Sequence, residues 1–132
     1  MNYWLVKTEP ETFSWNDQKN SGIEPWNGVR NYQARNNMKL MKQGDLVLFY
    51  HSGGERQVVG IISVEKEFYP DIDDDKFVCV DVKTVEELKN PITLASIKGN
   101  PKLAEIPLVK HSRLSVMPLT KEAFDEIIRM SE

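Results

Sequence analysis

Cysteine is almost missing from this chain: Cys79 is the only one in 132 residues. An internal disulfide is therefore excluded, and a lone thiol fits a reducing compartment, for which we expect the cytoplasm. Excess positive charge is missing too. Seventeen Lys and Arg stand against 20 Asp and Glu, a net charge of -3, which excludes a protein that coats duplex DNA by bulk electrostatics. Long apolar runs are absent. Between Asn2 and Lys7 stand only Tyr3, Trp4, Leu5 and Val6, too few for a signal-peptide core and far short of a membrane span. Phosphate-loop and dinucleotide glycine motifs are lacking. His51, His111 and Cys79 are the only nitrogen and sulfur ligand candidates. They lack the close paired spacing of zinc sites, so neither a metal nor a cofactor is expected. There is no internal repeat and no low-complexity tract.

What is present suits one domain over residues 1–132. Hydrophobic content of 40% and charged content of 28% are ordinary for a globular protein, and this length buries roughly two thirds of the unfolded surface. Asn2 to Lys7 reads as a strand stopped by Glu9-Pro10. Ser14 caps a short helix to about Lys19, and Asn31 caps another to about Met41, with Gly44 as its stop signal. Helical spacing puts Ala34, Met38 and Met41 on one stripe. Arg35, Lys39 and Lys42 form a second, basic stripe, of which Lys39 and Lys42 are read as a solvated face. Asp45–His51 and Gln57–Phe68 read as a hairpin broken at Gly53-Gly54, with Gly60 marking a bulge or close backbone approach. Asp71–Asp75 reads as a solvated acidic turn rather than a cation loop, since it lacks the glycine and distal glutamate of a calcium site. Phe77–Val82 alternates as a strand. A short helix at Leu94–Lys98, a last strand at Arg113–Val116 ended by Pro118, and a helix from Thr120 to about Met130 complete the chain. Its outer face carries Lys121–Asp125 and Asp125–Arg129 pairs. The class is α+β; pattern alone leaves a closed barrel and an open sheet both open.

The stretch from Trp26 to Met38 differs chemically from the rest. It joins a large aromatic, a glycine, two arginines and a cluster of amides, with no acidic residue between Glu24 and Asp45. Arginine, asparagine and glutamine bond phosphates and base edges in fixed geometry, and an aromatic gives a base a surface to stack on.

The run Trp26-Asn27-Gly28-Val29-Arg30-Asn31-Tyr32-Gln33-Ala34-Arg35-Asn36 resembles the signature of EVE-domain proteins. Four collinear pieces agree: Tyr3 to Pro10, Gly44 to Ser52, Tyr69-Pro70-Asp71, and Ser112 to Pro118. The resemblance covers nearly the whole chain. It implies a PUA-like fold, a small curved β-barrel with short helices packed around it. EVE domains resemble YTH domains, which read methylated adenosine. The resemblance thus implies non-enzymatic binding of a modified nucleobase in DNA or RNA, single-stranded or flipped out, within an aromatic-lined pocket. Trp26 is the expected wall and Tyr50 a further aromatic, while Trp4 on the first strand fits the core better. Lys7, Thr8, Asn31, Gln33 and Ser52 can supply edge contacts, and Arg30, Arg35 and Arg113 can hold phosphate or sugar. The chain departs from the family pattern at Pro25, Asn27 and Thr8. The segment Asp71–Lys76 is short and acidic, with Phe77 where a tryptophan is common, which implies a more open site.

Two other classes stay in view. PUA-like relatives suggest a hydrolase of amidohydrolase type acting on a modified pyrimidine nucleoside. Lys7 would be its base, Thr8 its nucleophile or orienting group, and Glu9 a carboxylate partner; His51-Ser52 is a second such set. Consecutive strand residues point to opposite faces, which disfavours both. The third class is an interaction module in which the signature stretch meets a protein.

Overall fold

In the computed structural model, which describes residues 1–132, the elements follow in the order β1 (Tyr3–Thr8), α1 (Trp15–Ser21), β2 (Ile23–Trp26), α2 (Tyr32–Leu40), β3 (Leu46–His51), β4 (Gln57–Pro70), β5 (Val78–Thr93), α3 (Leu94–Lys98), α4 (Pro107–Lys110), β6 (Val116–Leu119) and α5 (Lys121–Ser131). The strands make one mixed sheet in the order β2-β5-β4-β3-β1-β6. Only β1 and β3 run parallel.

The sheet curls strongly, and its irregularities say why. The ladder slips between Phe49 and Tyr50, and again at four places along β4 and β5; each slip adds local twist. One slip surrounds Gly60. A Cβ there would stand 2.4 Å from ring carbons of Trp15, so the close approach expected at this glycine is real. Trp15 from α1 lies flat on the bare backbone. Helix α2 touches both β5, beside one edge, and β6, the other edge. Asn37 Nδ2 donates to the Val116 carbonyl at 2.8 Å. The curl is thus completed by a helix lying in the gap between the sheet's ends.

Ala34, Met38 and Met41 are buried as the helical stripe requires, and 34 buried residues form one continuous core. Trp4 belongs to that core. Its Nε1 donates to the buried Asp45 carboxylate at 3.0 Å, which also accepts from the backbone of Asn2 and Lys42.

Four expectations need correction. β5 runs on to Thr93, because its second half is exposed and charged and only Leu88 and Ile92 face inward there; such a strand has no hydrophobic alternation to read. The last strand is Val116–Leu119 and includes Pro118. It is an edge strand, where a missing N–H is tolerated. Arg129 pairs with Glu126, at 2.7 Å, rather than with Asp125. Asp71 is no solvated residue: its side chain is 1% exposed. The strand β2 and the short helix α4 had no counterpart in the sequence reading.

Candidate functional site

At the C-terminal end of β1 a cleft of about 430 Å³ opens between the turn before α1, the strand β2 and the connection from β2 to α2. Lys7 and Thr8 enter it from β1, Phe13 from the turn, Glu24, Pro25 and Trp26 from β2, and Asn27 to Arg30 from the connection; Ser115 closes the far side. Edge strand β2 pairs only with β5, so the cleft is held against the sheet by main-chain bonds.

Trp26 is 8% exposed, with Phe49 behind it in an edge contact at 5.6 Å and Phe13 in another at 5.9 Å. It is a rigid apolar wall, since both contacts fix the indole's orientation. The polar groups stand around it. Lys7 Nζ donates to the Ser112 carbonyl at 2.8 Å, and burial holds its pKa below that of an ordinary lysine. Thr8 Oγ1 donates to the Phe13 carbonyl at 2.9 Å, which leaves the hydroxyl's lone pairs for a donor on a ligand. The half-buried Glu24 places a carboxylate in the same space.

Asp71 organises the connection. Its carboxylate accepts from the backbone of Gly28 at 3.1 Å, from Arg30 Nη1 at 3.1 Å and from the backbone of Asp73 at 2.9 Å. These donors hold its pKa down to about 2, the backbone bond from Asp73 contributing most. Gly28 has φ +76, a left-handed conformation that glycine adopts without strain. Arg30 is therefore half spent: one arm is paired with Asp71 and bonded to the Val29 carbonyl.

The other expected site residues divide into groups. Asn31, Gln33 and Arg113 line a separate shallow depression of about 300 Å³ with His111, Ser112 and Leu114. The two basins touch through the bond from Lys7 to Ser112. Asn31 also caps α2, accepting from Ala34 at 2.8 Å. Arg35 lies outside both basins and donates to Asn36 Oδ1 and the Lys76 carbonyl. Tyr50 is 3% exposed and sits behind Lys7, whose Nζ is 5.9 Å from its ring; it lines neither basin. Ser52 lines neither, its backbone N–H donating to Thr8's carbonyl at 2.8 Å.

The hydrolytic sets are not assembled. No hydrogen bond links the side chains of Lys7, Thr8 and Glu9, and Glu9 is exposed. His51 accepts from the Trp15 backbone at Nε2 and donates from Nδ1 to Glu55 at 2.9 Å, a structural tie for α1. Sequence reading missed Phe13, Glu24 and Ser115, which the turn before α1, strand β2 and the approach to β6 bring to the cleft from three distant stretches. Ser115 carried a signal, since it lies within the collinear piece Ser112 to Pro118; Phe13 and Glu24 lie outside every such piece.

Residues 2–130 match the model of the EVE domain family. Thymocyte nuclear protein 1 of Mus musculus is 38% identical over 168 residues, covering 99% of this chain and 74% of that protein. A crystal structure of an Agrobacterium tumefaciens protein superposes with a TM-score of 0.97 at 48% identity, over 99% of this chain and 93% of that one. The human THYN1 protein, solved in complex with DNA containing 5-methylcytosine, superposes with a TM-score of 0.93 at 35% identity, over 100% and 98%. A YTH domain of Zygosaccharomyces rouxii has the same fold, with a TM-score of 0.63 at 12% identity.

Proposed function

The chain belongs to the EVE domain family, and on that premise we propose that it binds a modified nucleobase of DNA or RNA, without catalysis, in the cleft beside Trp26. The observation that carries this reading is the cleft's make-up. A fixed indole wall, a carboxylate, a hydroxyl with free lone pairs and an ammonium converge on a space of about 430 Å³. A base taken out of its stack costs a few kcal/mol, and stacking with two or three edge hydrogen bonds offsets that. The complex of the human THYN1 protein with 5-methylcytosine DNA makes methylated cytosine the first ligand to test.

In this reading Trp26 and Phe13 hold the ring, and Glu24 accepts from an exocyclic amine, as carboxylates do from cytosine N4. Thr8 and Lys7 meet the remaining edge. Arg113, Asn31 and Gln33 hold the sugar and phosphate in the neighbouring depression. The whole chain, 1–132, acts as one domain. The free thiol at Cys79 fits a reducing compartment, for which we propose the cytoplasm. No helix is long and apolar enough to cross a membrane.

The experiment is calorimetric titration with paired oligonucleotides, single-stranded DNA and RNA, that differ only in 5-methylcytosine, N6-methyladenine or an unmodified base. Tighter binding of one modified member, lost in Trp26→Ala but largely kept in Trp26→Phe, is the expected result. The phenyl variant is needed because full truncation of a buried tryptophan costs about 3–5 kcal/mol of stability by itself. Equal affinity for every member of the panel would sink the reading.

A further inference from the structure

The outer face of α2 carries an arrangement that the cleft does not use. From the cleft mouth outward, Arg30 lies over the Phe77 ring at 5.2 Å, and Phe77 stacks on Tyr32 at 5.1 Å and 26°. Arg35 lies over Tyr32 at 4.8 Å. One turn along the helix, Lys39 sits 5.8 Å from Phe68, and beside it Lys66 stands 4.6 Å from Tyr69. Cations thus lie against rings from the cleft's rim across α2 and the end of β4. We propose that this ladder is a track for the single-stranded nucleotides that flank the bound base, which stack on Tyr32 and Phe68 while Arg35, Lys39 and Lys66 meet their phosphates. It rests on the reading that a nucleobase occupies the cleft.

Three observations favour that occupant. The rings are presented to solvent: Tyr32 is 57% exposed and Phe68 45%, unusual for aromatics that serve only packing. The cations are available. Arg30 is neutralised by Asp71 and Lys42 stands near Glu67, but Arg35, Lys39 and Lys66 have no carboxylate within ion-pair distance. The ladder is also continuous with the cleft, because Arg30 belongs to both. A positive strip carrying exposed rings is how single strands are bound without sequence preference, each stacked base adding affinity. The carboxylates around the strip are partly engaged, Asp74 and Glu67 accepting from backbone N–H groups. Asp73 and Asp75 are exposed at its edge and would repel a duplex backbone laid broadly over this face. In this proposal Lys39 leaves the solvated face expected for it, and Arg35 keeps the phosphate role expected from the sequence.

The test uses the full chain and compares 5-methyldeoxycytidine monophosphate with a short single-stranded DNA carrying one central 5-methylcytosine. For the unaltered protein the flanked ligand binds at least about tenfold more tightly. Tyr32→Ala reduces that advantage by about tenfold and leaves mononucleotide affinity within about twofold; Tyr32→Phe, which keeps the ring, restores it. Lys39→Ala with Lys66→Ala flattens the salt dependence for the flanked ligand only. A Tyr32→Ala protein that binds the flanked DNA as well as before overturns the track, as does one that loses both ligands equally. The cleft reading fails separately. Methyl-dependent binding that needs Trp26 but gains nothing from flanks removes the track alone. Tyr32-dependent strand binding with no preference for any modified base removes the cleft alone, and no binding of either ligand removes both.

Discussion

On the proposed reading Glu24 selects the base, because it is the only carboxylate among the lining residues. A carboxylate accepts hydrogen bonds and donates none, so it rewards an exocyclic amine and penalises a carbonyl at the same place. Glu24→Gln should lower the preference for 5-methylcytosine over thymine by about 1–3 kcal/mol, measured by titrating the two nucleotides against each protein. An unchanged preference would mean that the amine points elsewhere. Lys7 gives the site a pH dependence. Its pKa is lowered by burial, which disfavours the ammonium. The ammonium it offers to an acceptor on the base edge is therefore lost, as pH rises, sooner than that of an ordinary lysine. Affinity for a base that presents such an acceptor should fall on that alkaline limb. Lys7→Arg should remove the limb, since a guanidinium stays charged. At this scale the sequence disclosed Lys7, Thr8 and Trp26, which sit in collinear signatures. It could not disclose Glu24, whose neighbours in the chain give no sign that β2 will pair with β5 and turn its side chain to the cleft.

The elements that were legible are those with a plain apolar pattern. β1 and β3 are short continuous apolar runs buried on both faces, α2 and α5 each present a regular apolar face, and Gly60 announced the place where the sheet accepts Trp15. β2 hid because its four residues include Pro25 and one buried side chain, a pattern that only an edge strand permits. The acidic segment after β4 was misread for a different reason. Asp71, Asp73, Asp74 and Asp75 look alike in sequence, yet only Asp71 is buried against the connection from β2 to α2. That role gives a prediction for acid. A carboxylate whose pKa is depressed when folded, here to about 2, contributes stability that is complete above its unfolded value of about 4. The contribution is lost as pH falls between those values. Asp71→Asn should destabilise the fold by about 1–3 kcal/mol at neutral pH, from the weakened bonds to Gly28 and Arg30. It should also flatten the loss of stability between about pH 4 and pH 2, followed by circular dichroism. An acid limb identical to that of the unaltered protein would show that Asp71 is not the group being titrated.

On the whole molecule the problem is how a chain of net charge -3 holds a polyanion. The curled sheet answers by placing its acidic and basic residues differently. In β5's outer half Glu87 is paired with Lys19 of α1, whereas Arg35, Lys39 and Lys66 belong to the proposed track and Arg113 lines the depression beside the cleft. Release of counterions from a single strand gives about -0.7 in log K against log salt for each neutralised phosphate. Four such contacts imply a slope of about -3 for a flanked oligonucleotide, and the single phosphate of a mononucleotide implies no more than about -0.7. Arg35→Ala should make the oligonucleotide slope shallower by about 0.7, while Arg30→Ala, whose charge is already met by Asp71, should leave it nearly unchanged. Trp26→Phe should alter affinity at every salt concentration without altering the slope, because stacking releases no counterions. Anisotropy titrations across a range of sodium chloride concentrations measure all four. A slope near zero for the oligonucleotide would make the ligand a free base or nucleoside. A slope steeper than about -5 would mean that Lys42 and its neighbours join an extended basic groove, and that the acidic body shields this face far less than the ion pairs indicate.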